Sequence, residues 1–324
     1  VNIAIIGATG LVGQTFIKII EEEKIPYDNL ILYGSKRSAG KQIIVNGKKH
    51  IVSELTTETV EAVEYALFSA GNQVSKQFAQ LFVDLGAIVI DNSSAYRMAK
   101  NIHLTVPEIN INIIDKKPQI IANPNCSTIQ AVLPLHYINS NNKIRSIRYT
   151  TYQSVSGSGQ KGIAELENTR KGLAAVNYPF SISDNVICQI DEFINNEMTK
   201  EEKKMIEETQ KILATNCNVD ALCVRVPVPK SHMVVVDFQL STPLEIAQIE
   251  KLLNNKTGLI LKNDNINQRY PINEMSNGNN NVYVGRIRKL SGQNWYSFIC
   301  IADNIRKGAA ANAVQILQKM EEKT

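Results

Sequence analysis

Apolar residues in the first part of the chain fall into short runs separated by stretches of helical spacing. "NIAIIG" (2–7) reads as a strand, and "LVGQTFIKIIEEE" (11–23) places its apolar side chains on one helical face. "LILYGS" (30–35) is a second strand, and "IIVNGKKHIV" (43–52) reads as a hairpin turning at Asn46-Gly47. "YALFSA", "VSKQFAQLFVDLG" and "AIVIDNS" (65–93) form a strand–helix–strand unit, and "QIIAN" (119–123) adds a further strand. Buried strands alternating with helices predict a Rossmann-type, doubly wound parallel sheet.

Beyond residue 125 the pattern changes. "IRSIRYTTYQSV", "ALCVRVPV", "MVVVDFQLS", "VYVGRIRKL" and "WYSFICIAD" are longer, and several carry one apolar and one polar face. They predict an α+β domain with a mostly antiparallel, mixed sheet covered by helices. The expected division is a dinucleotide-binding domain over 1–124 and a catalytic and dimerisation domain over 125–303. The small-residue helix at 304–324 is expected to pack back on the first domain, and the Asn-rich "SNGNNN" (276–281) reads as a loop.

Composition narrows the function. A formal charge of +4 over 324 residues, with no basic stripe, gives no reason to expect a nucleic-acid partner. No apolar run reaches membrane-spanning length and the chain enters a strand at once, so neither a membrane span nor a signal peptide is expected. Cys126, Cys188, Cys217, Cys223 and Cys300 are widely spread with no C-x-x-C pair. This pattern fits a reduced cytoplasmic protein better than a disulfide framework or a metal site.

"IAIIGATGLVG" puts Gly7, Gly10 and Gly13 between the first strand and the first helix. A tight turn, close backbone approach and the positive helix end suit a pyrophosphate; the alternative is an ordinary strand–helix turn. After the second strand, where an NAD enzyme usually has an acidic residue, the chain has Ser35, Lys36, Arg37 and Ser38. Two cations and two hydroxyls suit the 2′-phosphate of NADP, unless they form only a solvated basic turn.

In "IIANPNCSTIQAV" Pro124 bars helix before Cys126, which should therefore sit at a helix N-terminus, where the dipole favours a thiolate. The other four cysteines read as core residues. A cysteine beside a nicotinamide implies thioester chemistry between an aldehyde and an activated acyl group, which needs a proton shuttle. Of His50, His103, His136 and His232, elimination leaves His232: His50 lies in a hairpin beside lysines, His103 in an irregular loop, and His136 on the helix after Cys126.

With "GATGLVG", "SKRSAGK", "DNSSAYRM", "NPNCST", "YQSVSGSGQKG", "EEKKMIEET", "RVPVPKSH" and "DNIRKGAAANAVQI" in this order, the whole chain resembles the aspartate-β-semialdehyde dehydrogenases. The resemblance implies NADPH-dependent reduction of L-aspartyl-4-phosphate to aspartate semialdehyde and phosphate, on the route to lysine, diaminopimelate, threonine and methionine. It implies Cys126 as acyl carrier, His232 as acid/base and Gln153 as the residue orienting the acyl group. Arg225 would take the α-carboxylate, Glu201 the amino group, and Arg97 and Lys204 the phosphate, with Asn125 in the same pocket. For the cofactor it implies Thr9, Gly10, Leu11 and Val12 at the pyrophosphate, Arg37 and Ser38 at the 2′-phosphate, and Ser156, Gly157 and Asn304 at the nicotinamide end. A homodimer or a dimer of dimers is also implied.

Taken alone, Arg97 and Lys204 could be solvated charges, whereas Arg225 within an apolar strand calls for a partner or a ligand. The choice of Glu201 over Glu202 rests on register. N-acetylglutamyl-phosphate reductase and glyceraldehyde-3-phosphate dehydrogenase share the thioester logic but have other residues around the cysteine. A catalytically silent NADP-binding sensor would have no use for Cys126, Gln153, Arg225 and His232 together.

Overall fold

Ile3, Ala4, Ile5 and Ile6 are all buried, and their side chains alternate between two apolar clusters. A strand buried on both faces belongs at the centre of a parallel sheet. The computed structural model describes residues 1–323. They form two units, one of Val1–Pro124 with the C-terminal residues from Ala309, the other of Asn125–Gly308.

The first unit runs β1 (Asn2–Ile6), α1 (Leu11–Glu22), β2 (Asn29–Gly34), β3 (Gln42–Val45), β4 (Lys48–Ile51), β5 (Ser53–Glu54), β6 (Tyr65–Phe68), α2 (Asn72–Asp84), β7 (Ile88–Asp91), β8 (His103–Leu104), α3 (Pro107–Asn110) and β9 (Gln119–Ala122). Among the described residues its sheet has the order β5-β2-β1-β6-β7-β9-β8, with every pairing parallel. Phe16, Ile19 and Ile20 of α1 cover one face with Ile3 and Ile5, while Phe78, Ala79 and Phe82 of α2 cover the other with Ala4 and Ile6. The sheet is thus doubly wound. β3 and β4 form the expected hairpin, with Asn46 at φ 49 and Gly47 at φ 75 in its two-residue turn. His103 lies in a short strand paired to β9 rather than in an irregular loop.

The second unit runs α4 (Cys126–Asn139), β10 (Ile144–Gln153), α5 (Gln160–Arg170), β11 (Phe193–Ile194), β12 (Met198–Thr199), α6 (Lys200–Ile212), β13 (Asn218–Arg225), β14 (His232–Leu240), α7 (Ile246–Leu253), β15 (Leu259–Leu261), α8 (Asn273–Ser276), β16 (Val282–Lys289) and β17 (Trp295–Ala302). Its main sheet has the order β13-β10-β14-β17-β16-β15 among the described residues. β10/β13 and β15/β16 are parallel and the other pairings antiparallel, which gives the mixed sheet expected. β14 alternates strictly between buried and half-buried positions. α4 is buried nearly all round, so no amphipathic stripe announces it.

The C-terminal helical run differs from the stretch expected at 304–324. Asp303 Oδ1 accepts the backbone N–H groups of Ile305 and Arg306 at 2.9 and 3.1 Å, a π-helical turn follows at Arg306–Ala310, and α9 (Ala311–Glu321) begins only then. Residue 324 lies outside the described residues. Ala313, Val314, Ile316, Leu317 and Met320 of α9 share a cluster with Ile3, Ile5 and Phe16. No helix among the described residues is long and apolar enough to cross a membrane. Cys217, Cys223 and Cys300 are buried as expected, but Cys188 is exposed: it lies in the irregular segment 171–192, where its neighbour Ile187 rather than the cysteine packs into a core cluster with Val155, Leu166 and Ile182.

Candidate active site

In the first unit the glycine loop is built by contact. A Cβ on Gly13 would stand 2.2 Å from the carbonyl oxygen of Gly7, so only glycine lets α1 start this close to the turn. Gly7 itself has φ 85 and lies against the backbone of Ser69 and Ala70. Gly10 is the N-cap and supplies no side-chain hydrogen bond, while Leu11, Val12 and Gly13 form a first turn without acidic residues. The first N–H groups of α1 are thus uncapped by a side chain and suited to an anion. Thr9 Oγ1 lies 3.1 Å from Oγ of the buried Ser38, which joins the glycine loop to the turn after β2. Ser35, Lys36 and Arg37 in that turn are exposed. Beside it, Ile6, Gly7, Gly34, Leu55, Ala70, Val74 and Phe78 line an apolar cleft that nothing in the sequence marked out.

Arg97 is buried, not a solvated surface charge. Its Nε donates to the carbonyl of Asn123 at 2.9 Å and Nη2 to that of Asn92 at 3.0 Å. These carbonyls follow β9 and β7, so the guanidinium is fixed at the carboxyl ends of two parallel strands, where ligands of such sheets gather.

In the second unit Cys126 is the first residue of α4. The turn is capped by Asn125, whose Oδ1 accepts the N–H groups of Ser127 and Thr128 at 2.9 and 3.3 Å. Those two N–H groups are therefore engaged by the cap, and the helix dipole remains to favour a thiolate. Asn125 also donates Nδ2 to Glu201 Oε1 at 2.9 Å and its backbone N–H to Glu208 Oε2 at 2.6 Å, so its polar groups hold the turn that carries Cys126 in place. Behind Cys126 lies Gly308: a Cβ there would come within 2.8 Å of the cysteine Cβ.

Neighbouring glutamates on α6 have different tasks. Glu202 completes a capping box with Thr199 and accepts the N–H of Cys223 at 3.0 Å. Glu201 Oε1 also accepts Gln153 Nε2 at 3.1 Å, and its Oε2 lies 3.3 Å from Lys204 Nζ. Lys204 donates to Asp191 at 2.7 Å. Burial pulls the Lys204 ammonium down, but the Glu201 and Asp191 carboxylates outweigh it and hold the group above its ordinary value, as a cation.

His232 is wholly buried. Its Nδ1 accepts the backbone N–H of Ser154 at 3.0 Å, and Nε2 has no hydrogen-bond partner among the described residues. Burial first, then the Arg225 guanidinium, hold the imidazole well below its ordinary pKa. Arg225 donates Nη1 to the carbonyl of Ser154 at 2.7 Å, its Nε is buried without a partner, and Tyr178 lies 6.0 Å from its guanidinium carbon. Gly157 lies against both, since a Cβ there would meet Arg225 Nη1 at 2.8 Å and the His232 ring at 3.2 Å. Asn304 Oδ1 accepts from Ser156 Oγ, Ser154 Oγ and Ser231 N at 3.0, 3.2 and 3.0 Å, which leaves its buried Nδ2 without a partner.

Glu201, Lys204, Gln153 and Asn125 thus form one connected group, and Arg225, Gly157, His232, Ser156 and Asn304 another. Ser154, Glu208, Gly308 and Tyr178 were missed. Only the Gly308 position, in a run of small residues, offered a sequence signal.

The comparisons agree along the chain. The family model described as "Semialdehyde dehydrogenase, NAD binding domain" matches residues 2–117, and "Semialdehyde dehydrogenase, dimerisation domain" matches residues 133–307. The chain is 42% identical to aspartate-semialdehyde dehydrogenase of Aquifex aeolicus, covering 98% of this chain and 97% of that one. It is 39% identical to the protein of the same name from Campylobacter jejuni, over 98% and 96%. The crystal structure of aspartate semialdehyde dehydrogenase II complexed with ASA from Vibrio cholerae superposes with a TM-score of 0.94, at 39% identity and coverage of 99% and 98%.

Proposed function

Since the chain belongs to the aspartate-semialdehyde dehydrogenase family and is an oxidoreductase with a nicotinamide cofactor, we propose a specific assignment of its residues to the reaction. The substrate is L-aspartyl-4-phosphate, the product L-aspartate-4-semialdehyde, and the cofactor NADP(H). The observation that carries the reading is the buried His232, with Nδ1 engaged by a backbone N–H and Nε2 left for a reacting oxygen.

The residues present suit the cofactor. The pyrophosphate is assigned to Thr9, Gly10, Leu11 and Val12 within the Gly7–Gly13 loop, where Gly13 admits no side chain and no side chain caps α1. The apolar cleft beside Gly34 suits an adenine ring, and Ser35, Arg37 and Ser38 suit a 2′-phosphate. Ser156, Gly157 and Asn304, with its unpartnered Nδ2, are assigned to the nicotinamide end. When bound, the nicotinamide supplies a hydride to the acyl carbon.

In the reductive direction the Cys126 thiolate attacks the acyl carbon and the bond to phosphate breaks, leaving a thioester on Cys126. Lys204 and Arg97 provide positive charge for the departing phosphate, and Gln153, tied to Glu201, orients the acyl oxygen. As that oxygen gains charge, the neutral His232 ring donates a hydrogen bond to it from Nε2–H and holds the charge until the carbon–sulfur bond breaks and the aldehyde leaves. Arg225 binds the α-carboxylate through its free Nε edge, and Glu201 the amino group.

A homodimer, or a dimer of dimers, belongs to the same reading, supported by the dimerisation-domain match over 133–307. So do the domain division near residues 124 and 303 and a cytoplasmic location, the latter supported by five free cysteines. The test is oxidation of aspartate semialdehyde by NADP⁺ with and without phosphate. Phosphate-dependent NADPH formation that is lost in Cys126→Ala supports the assignment. No turnover by the wild type, or turnover that survives in Cys126→Ala, contradicts it. Turnover of N-acetylglutamate semialdehyde instead would move the chain to the related reductase.

A further inference from the structure

The Asn-rich segment at 276–281, a plain loop by its sequence, packs directly behind the residue that precedes His232. Ser231 has φ 67, in the left-handed region that favours glycine, and it is fully buried. A residue other than glycine keeps that conformation only where its surroundings over-determine it. Here they do. The N–H of Ser231 donates to Asn304 Oδ1 at 3.0 Å, and its carbonyl accepts Asn273 Nδ2 at 2.7 Å. Its hydroxyl donates to Asn277 Oδ1 at 2.7 Å and accepts from Ser276 Oγ at 2.7 Å. Every polar group of Ser231 is thus held, three of the four contacts coming from Asn273, Ser276 and Asn277. The segment is anchored in turn: Gly278 N–H donates to Asp303 Oδ2 at 2.8 Å, and Asn280 Oδ1 accepts Arg306 Nε at 2.8 Å.

We propose that Asn273, Ser276 and Asn277 are positioning residues, a clamp that holds Ser231 in its left-handed conformation and thereby aims the His232 imidazole at the reacting oxygen. The inference rests on the catalytic reading of His232. Its physical content is that the next residue's backbone direction follows from ψ and φ at 231, so releasing the clamp lets Ser231 relax towards an extended conformation and swings Nε2 off its line. Misplacement of a catalytic group by about 1 Å costs on the order of a hundredfold in rate, and partial release proportionately less.

Asn277 is exposed, so Asn277→Ala leaves the core untouched. The expected result with aspartate semialdehyde and NADP⁺ is a kcat lower by about tenfold, with KM for both unchanged. Alkylation of Cys126 by iodoacetamide should proceed at the wild-type rate. Ser231→Gly, which adopts the same conformation without strain, should restore kcat in the Asn277→Ala background to within about threefold of wild type. A merely structural loop would show no such rescue. Unchanged kcat in Asn277→Ala, a loss expressed in KM, or a loss that Ser231→Gly fails to restore would each overturn the clamp. His232→Ala assayed alongside separates the two claims: undiminished activity there overturns the catalytic reading itself.

Discussion

The backbone N–H of Ser154 donates to Nδ1 of His232 at 3.0 Å. Because Nδ1 accepts, the hydrogen of the neutral ring resides on Nε2, the nitrogen without a protein partner. In the proposed assignment His232 therefore meets substrate as a donor. Replacement by Ala should lower kcat by about 10²–10⁴ and leave cofactor affinity intact, as steady-state kinetics with a separate NADP titration would show.

The same ring sets a pH dependence. Burial and Arg225 hold its folded pKa well below the ordinary 6.5, so at neutral pH it is uncharged in both the folded and unfolded chain. As pH falls below 6.5 the unfolded chain takes up a proton that the folded protein refuses, and stability is lost. Above 6.5 this contribution is fully present. Urea unfolding at pH 5 to 7.5 should show a wild-type decline towards acid that is shallower in His232→Asn.

Adjacent residues on α6 should separate function from stability. Glu201→Ala strands the amides of Asn125 and Gln153, and a kcat lower by about a hundredfold is expected with a modest change in melting temperature. Glu202→Ala breaks the capping box and the bond to Cys223 N–H. It should cost about 1–2 kcal/mol of stability and leave kcat near wild type. Kinetics and denaturation on both variants check the contrast.

Arg37 is exposed in the turn after β2, next to the buried Ser38. If it meets a 2′-phosphate, Arg37→Ala removes a charge-assisted contact worth about 1.5–3 kcal/mol. KM for NADP⁺ should rise by at least about tenfold, and the rate supported by NAD⁺ should not change. Equal losses with both cofactors would place Arg37 elsewhere.

How much of this was legible depended on how local the signal was. The parallel sheet, the Asn46-Gly47 hairpin and the start of α4 at Cys126 follow from periodicity, turn chemistry and Pro124, all of which act within a few residues. Cys188 misled, because an irregular segment has no periodicity to reveal its exposure. The "EEKK" run reads as solvated charge, yet Glu201 and Glu202 are each only 5% exposed. Their partners, Asn125, Gln153 and Cys223, come from distant parts of the chain. The left-handed Ser231 is equally invisible locally, since it is set by tertiary packing.

The central claim is that Cys126 carries the acyl group. It is tested most directly by mass spectrometry of protein quenched during turnover of aspartate semialdehyde and NADP⁺ without phosphate, where the acyl-enzyme should accumulate. The account predicts a hydroxylamine-labile acyl adduct on the peptide containing Cys126, discharged by phosphate and absent from Cys126→Ala. NADPH formed with Cys126 unmodified, or an adduct on another residue, would contradict it.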